Sequence, residues 1–346
     1  MASSNSEPWK DVAVKQFRPN VLDLQGKCAI RTYDDLERYC AEIKILLHLR
    51  QGTPDTCTVL YLYEYFLNGR DVYVVTELLD QDLNVWRQQC QEFTEQMAID
   101  IGRSILCSLK FISENNVVHR DIKLQNVLFR SSGDFKSLKL VDFGLSCILG
   151  ANEHKRDFCG SIGYLAPEVY AGTSYRFEVD MFSFGVLLFR LLSSERPFLN
   201  HNLKVLRQHT LDFRYNVDGP AWKNVSNTAK DLIRSLLVHR DERLTANEAL
   251  AHPWFQNQIQ QELEGKNLLD IDCRVGFYKR SARIESPRVQ QSDKKNASSR
   301  SLQVSRKLSE NFKSGSFQNP TWINFYRDDA NAGHSLLTSI NSLFQN

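Results

Sequence analysis

The chain has 346 residues, 42% hydrophobic and 24% charged, with a net charge of +2, a balance typical of globular proteins and enough for about two domains, or one two-lobed domain with a tail. A charge so close to zero gives no global field that favours nucleic acid or a membrane surface, and the apolar run Val186-Leu-Leu-Phe189 is broken by Arg190, so no bilayer span is expected. The eight cysteines, at positions 28, 40, 57, 90, 107, 147, 159 and 273, form no C-x-x-C pair, which predicts reduced thiols in place of a disulfide framework or a zinc site. The opening Met-Ala-Ser-Ser-Asn-Ser has no apolar run, and Ala2 stands where myristoylation needs glycine; a cytoplasmic location is expected, with the nucleus also open.

Residues 1–79 read as a small, strand-rich region. Asp11-Val-Ala-Val-Lys-Gln-Phe17 alternates as a strand does, with Val12, Val14 and Gln16 on one face and Ala13, Lys15 and Phe17 on the other. A lysine sharing a face with Ala13 and Phe17 calls for an anionic partner, unless it snorkels out of the strand. From Asp34 to Arg50, Leu36, Tyr39, Cys40, Ile43, Leu46 and Leu47 recur at helical steps and predict a helix carrying Glu42 beside its apolar stripe, with Glu37 as the rival acid. Arg18 to Tyr33 reads as an insert. Val59–Phe66 and Asp71–Leu79 read as paired strands turned by Asn68-Gly69, and Asp82 stands where a helix N-cap is expected. Residues 1–10 contain no glycine.

Residues 80–255 read as mainly helical. Met97, Ile101, Ile105, Leu109 and Ile112 place a helix over Thr94–Asn115, and Asp180–Leu192 is apolar nearly all round, hence a buried helix in which Asp180 must be hydrogen-bonded. Between them, short apolar runs deliver polar groups at their ends: Val117-Val118 leads to His119-Arg120-Asp121, Asn126 precedes Val127-Leu128-Phe129, and Leu138-Lys-Leu-Val141 leads to Asp142. Polar loop residues held by buried strands are the usual layout of a catalytic site. The remaining 256–346 form a tail. Its 281–318 portion is rich in Ser, Lys, Arg, Asn and Gln and is expected to be disordered. Arg306-Lys-Leu-Ser309 has the pattern of a phosphorylation site. His334–Gln345 carries one apolar face that suits either docking on a regulatory partner or a frayed end.

The ordered set H-R-D-I-K-L-Q-N at 119–126, D-F-G at 142–144 and A-P-E at 166–168 resembles the catalytic loop, magnesium loop and activation-segment end of eukaryotic protein kinases. Lys123 gives it the serine/threonine form, and Lys230–Leu237 with Ala251-His-Pro-Trp-Phe255 is closest to the calcium/calmodulin-dependent group. The resemblance implies an α+β, two-lobed fold, with the small lobe at 1–79 and the large lobe at 80–255. It also implies transfer of the ATP γ-phosphoryl group to serine or threonine hydroxyls of protein substrates, with Mg²⁺. In that frame Asp142 and Asn126 hold the metal, Asp121 accepts the substrate proton and Lys123 steadies the transferring group. Lys15, paired with Glu42, orients the α- and β-phosphates. Thr76 stands beside the adenine pocket, the Glu77 carbonyl and Leu79 backbone bond adenine, and Asp82 contacts the ribose.

The resemblance further implies that Ser161 bonds Asp121 and Lys123, that Asp180 braces the H-R-D backbone and that Arg243 pairs with Glu168. Asp157 falls where relatives carry a phosphorylated residue, so it either pairs with Arg120 as a built-in phosphate substitute or is an exposed loop acid. One departure stands out. The glycine-rich loop expected ahead of Lys15 is absent from residues 1–10, which predicts an abbreviated small lobe with an exposed apolar sheet edge and face. It also keeps a pseudokinase-like scaffold, or an inactive truncated form acting through protein contacts, as the competing reading.

Overall fold

The computed structural model describes residues 10–17, 40–53, 57–68, 71–256 and 323–327. Strand β1 (Lys10–Phe17) carries Lys15, as its alternation predicts. Helix α1 (Ala41–Leu49) follows, burying Ile43, Ile45, Leu46 and Leu49. It starts later than the predicted Asp34: Cys40 is extended, at φ −100° and ψ 95°, and Asp34–Tyr39, with Glu37 and the Arg18–Tyr33 insert, lie outside the described residues. Strands β2 (Leu62–Asn68) and β3 (Asp71–Glu77) pair antiparallel down to Asn68↔Asp71, so the hairpin closes where Asn68-Gly69 predicts a turn. Strand β3 also pairs with β1, setting Lys15 opposite Val74.

The strand expected from Val59 begins only at Leu62. Val59 forms a parallel bridge to Leu140 instead, the Leu60 N–H donating to the Leu140 carbonyl at 2.9 Å and the Leu140 N–H to the Thr58 carbonyl at 3.3 Å. A backbone pairing distant in sequence has captured these residues. The second strand likewise stops at Glu77, short of the predicted Leu79.

In the helical part, α2 (Leu83–Gln89) is capped by Asp82 and α3 (Glu95–Glu114) by Thr94, whose hydroxyl oxygen accepts the Met97 N–H at 3.3 Å. Such caps satisfy first-turn donors that have no helical partner, and their loss costs about 1 kcal/mol each. Of the predicted α3 stripe, Ile101, Ile105, Leu109 and Ile112 are buried, as their spacing predicts, whereas Met97 is only half-buried and Ala98 takes the buried position in the first turn. Burying each aliphatic side chain contributes roughly 1.5–3 kcal/mol. Four short strands follow: β4 (Val117–Val118), β5 (Val127–Phe129), β6 (Leu138–Leu140) and β7 (Cys147–Ile148), with β4 paired to β7 and β5 to β6. They hold the polar loops between them.

Helices α4 (Pro167–Ala171), α5 (Glu178–Ser193), α6 (Leu203–Leu211), α7 (Asn227–Leu236) and α8 (Ala246–Leu250) complete this part. Helix α5 is buried along nearly its whole length. Gly185 lets it meet α7, because a Cβ there would lie 2.8 Å from Leu236 Cβ.

The tail supplies a strand that its composition does not announce. Strand β8 (Ile323–Arg327) pairs antiparallel with β1, from Lys10↔Arg327 to Val14↔Ile323. The main sheet therefore runs β2-β3-β1-β8. The exposed edge expected beside β1 is corrected over Lys10–Val14, whose backbone pairs with β8. The boundary drawn at residue 256 shifts accordingly. One compact unit comprises Met1–Trp254 with Gln318–Asp328, and a second comprises Phe255–Phe317 with Asp329–Asn346, of which only Phe255 and Gln256 are described. The expected disordered stretch 281–318, the Arg306–Ser309 pattern and the His334–Gln345 face lie outside the described residues.

Candidate active site

Asp180 reaches from buried α5 to the loop after β4. Its Oδ2 accepts the His119 N–H at 2.7 Å and its Oδ1 the Arg120 N–H at 2.8 Å. Burial pushes this carboxyl up to about 7, opposed by the same two N–H groups, which favour the ionised form. The brace holds Arg120 at φ 68°, a left-handed conformation that costs a non-glycine residue about 1–3 kcal/mol. His119 is fully buried, its pKa lowered by burial to about 4, so the ring is neutral at physiological pH. One ring nitrogen, Nε2, lies 3.0 Å from the Val141 carbonyl, and Nδ1 accepts the Asp121 N–H at 3.2 Å. The ring also meets Phe143 edge-on, 4.9 Å between centroids, tying the Asp121 loop to the Asp142 loop.

Asp121 is the centre of a dense donor set. Lys123 Nζ donates to its Oδ2 at 2.6 Å, the Ser161 N–H to its Oδ1 at 2.9 Å, and Asn126 Nδ2 to Oδ2 at 3.1 Å. Burial works upward on this carboxyl, but the Lys123 and Ser161 hydrogen bonds and the Lys123 charge outweigh it, leaving it below its usual range. Lys123 also donates to Ser161 Oγ at 2.9 Å, the arrangement the motif implies. Asn126 commits its amide nitrogen to the Asp121 carbonyl as well, at 2.9 Å. Its oxygen is thereby the atom left to face a cation. Asp142, at φ 62°, is likewise left-handed and opens the turn Phe143–Leu145. Carboxylate and amide oxygens are the donor chemistry that a hard cation such as Mg²⁺ takes.

Across the sheet, Lys15 Nζ and Glu42 Oε2 lie 2.6 Å apart. Of the two acids weighed as its partner, the first turn of α1 thus delivers Glu42. Thr76 is buried, and its hydroxyl donates to the Glu77 carbonyl at 3.2 Å. Leu79 is half-buried just beyond, before the Asp80 N–H donates to the Phe129 carbonyl at 2.7 Å. Asp82 Oδ1 accepts the Val85 N–H at 2.9 Å, so its observed work is the N-cap.

Sequence reasoning missed Lys139. It is buried on β6 and lies 3.2 Å from Glu77 Oε1, an oxygen that also accepts the Tyr61 N–H at 2.8 Å. Burial pushes the Glu77 carboxyl up, while the Lys139 charge opposes it. This pair joins the end of β3 to the strand that delivers Asp142. The available signal was a lysine inside the apolar run Leu138-Lys-Leu-Val141, which demands a buried anion.

A protein kinase domain model matches residues 5–255 of the sequence. This chain belongs to the protein kinase family. It is 36% identical over 218 residues to the phosphorylase b kinase gamma catalytic chain, liver/testis isoform, of Mus musculus, covering 60% of this chain and 52% of that one. It is 32% identical over 222 residues to calcium/calmodulin-dependent protein kinase type I of Schizosaccharomyces pombe (63% and 65%), and 32% identical over 240 residues to type IV of Homo sapiens (67% and 50%). The chain spans about half the length of the first of these relatives.

In this kinase domain the activation segment is tied down by Asp157. Its Oδ2 accepts from Arg120 Nη1 at 2.8 Å, while Arg120 Nε donates to the Leu145 carbonyl at 2.6 Å. The buried Tyr175 donates to the Asp157 carbonyl at 2.9 Å. Of the two readings weighed for Asp157, the structure favours the pair. Gly160, at φ 114°, permits this path, since a Cβ there would lie 2.5 Å from the Arg120 carbonyl oxygen. Because the Asp157 side chain is 63% exposed, the pair itself contributes only about 1 kcal/mol. Asp157→Ala is therefore expected to lower turnover roughly tenfold by loosening the segment around Ser161, with the Mg-ATP affinity nearly unchanged. Steady-state kinetics with varied ATP and peptide test this, and unchanged turnover would remove Asp157 as a phosphate substitute.

Proposed function

We propose that this chain is a Mg-ATP-dependent protein serine/threonine kinase. The observation that carries the reading is Asp121, whose Oδ2 accepts from Lys123 and Asn126 and whose Oδ1 accepts the Ser161 N–H, bonds that favour its ionised form. The formed Lys15–Glu42 pair supports it, as do relatives that are themselves named as kinases. Moving a phosphoryl group asks a protein chiefly for alignment and charge neutralisation.

When bound, Mg-ATP supplies the phosphoryl group and much of the neutralising charge. Asp142 and the Asn126 oxygen are the residues to hold the cation, and Lys15 the phosphates. The Glu77 carbonyl and Leu79 backbone would receive adenine, and Asp82 the ribose if its capping carboxylate is shared. Asp121 accepts the proton of the serine or threonine hydroxyl, and Lys123, already 2.6 Å away, stabilises the charge that develops beside it. Lys123 two residues after Asp121 favours serine and threonine as acceptors over tyrosine. Cytoplasmic residence and a regulatory partner for the tail belong to this proposal, resting on the scattered cysteines and the apolar face at 334–345. Among the described residues no helix is long and apolar enough to cross a membrane.

A paired measurement tests the reading: thermal shift with Mg-ATP, then radiolabel transfer to a basic serine peptide, each beside Asp142→Asn. Stabilisation and transfer are both expected, and both are expected to vanish in the variant. Stabilisation without transfer would favour a nucleotide-binding pseudokinase, and neither signal in a folded sample a scaffold.

A further inference from the structure

Lys15 can hold Glu42 at 2.6 Å only while β1 keeps its register. A strand paired on one side alone has a row of backbone groups facing water and opens locally at small cost. Here β1 is paired on both sides, by β3 from Val12 to Phe17 and by β8 from Lys10 to Val14, so the β8 pairing stops one residue short of Lys15. Val12, Ala13 and Val14 are 2%, 4% and 7% exposed. Strand β8 lies beyond residue 255, where the family match ends, yet it falls in the same compact unit as the sheet. Its sequence, Ile-Asn-Phe-Tyr-Arg, is dominated by residue types that favour strands.

We propose that Ile323–Arg327 is an intramolecular β-augmentation segment. It makes the Lys15 strand an interior strand, and the competence of the nucleotide site depends on its docking. Backbone pairing of an added strand supplies the affinity in such arrangements. The occupant is this chain's own segment, and the register pairs Asp11 with Tyr326 and Ala13 with Asn324. The dependence on docking rests on the kinase reading above; the docking itself does not.

The test uses the full chain. Asp11→Cys with Tyr326→Cys, mildly oxidised and mapped by peptide mass spectrometry, is expected to give a disulfide within one chain. Asp11→Cys with Phe325→Cys should give little, because a one-residue slip turns the side chain to the other face. Separately, Asn324→Pro with Phe325→Pro removes two successive N–H groups, one of which faces β1 in either phase of the ladder. That variant is expected to bind Mg-ATP at least tenfold more weakly and to exchange the Lys10–Val14 amides faster. A synthetic peptide of residues 318–328 should restore both properties, which a globally misfolded variant could not show.

An 11–326 disulfide formed only between two chains would overturn the proposal, as would none above the 11–325 control. So would a proline variant that keeps both affinity and protection. The disulfide and exchange readouts require no phosphoryl transfer, so their failure leaves the kinase reading standing. Docking as expected in a chain that binds no Mg-ATP would instead overturn the kinase reading and, with it, the dependence of the site on docking.

Discussion

Asp121→Asn is expected to lower turnover by about 10²–10⁴-fold, the usual contribution of a positioned proton acceptor, while Mg-ATP affinity changes little. The substitution keeps the shape, and its remaining oxygen can still accept the Ser161 N–H. What is lost is the acceptor for two converging donors, Lys123 Nζ at 2.6 Å and Asn126 Nδ2 at 3.1 Å. The new amide N–H₂ would face them both. Lys123 then loses the anion that aims it, so the variant removes the base and loosens its neighbour together. Single-turnover transfer to a serine peptide at saturating Mg-ATP reads the chemical step directly, and a thermal melt confirms folding. Turnover within about threefold of the unaltered chain would exclude Asp121 as the proton acceptor.

The largest stability effect is expected at Arg243. Its guanidinium meets Glu168 through two hydrogen bonds, at 2.6 and 3.1 Å, with side-chain exposures of 0% and 5%, and also donates to the Val238 and Glu178 carbonyls. Replacing the pair by apolar groups can be nearly neutral, but removing one member leaves an uncompensated buried charge and costs about 3–5 kcal/mol. Arg243→Met retains part of the packing against Phe182, whose ring centre lies 4.9 Å from the guanidinium carbon, and isolates the loss of charge. A fall in Tm of roughly 10 °C is expected for a domain of this size, with partial recovery in Arg243→Met/Glu168→Gln, where no unpaired charge remains. An exposed pair such as Lys155–Glu153 is the control, and Lys155→Ala should barely move the melt. A change at Arg243 as small as at Lys155 would show that the ion pair contributes nothing to the fold.

How much of this was legible differs by element. The α3 helix follows from its apolar period, because burial on one face imposes a spacing that is local to the segment, while the buried α5 helix and the loops carrying Asp121, Asn126 and Asp142 follow from continuous apolar runs. That Asp180 must be hydrogen-bonded followed from the rule that a buried charge must find a partner, while its partner and the Arg243–Glu168 pair came from the family resemblance. The same rule applied to Lys139 would have pointed to an anion, but nothing local says that Glu77 supplies it, since the two meet across separate strands.

Val59 shows the limit of periodicity. The run Val59–Phe66 is rich in strand-favouring residues, and only the approach of Leu140 decides which backbone Val59 pairs with. Strand β8 shows it more sharply. Five residues near the end of a polar tail, three of them strand-favouring, carry no sign of their partner, since pairing is set by which edge is open and within reach.

The sequence by itself determined the kinase family, the identity of the chemical groups and most helices, because motif order and apolar period are local properties. Only the tertiary structure decided that Glu42 reaches Lys15, that Asp157 holds Arg120 and that the tail covers the edge of β1. These are contacts between residues far apart in the chain, and their geometry exists only once the core has fixed the distances between them.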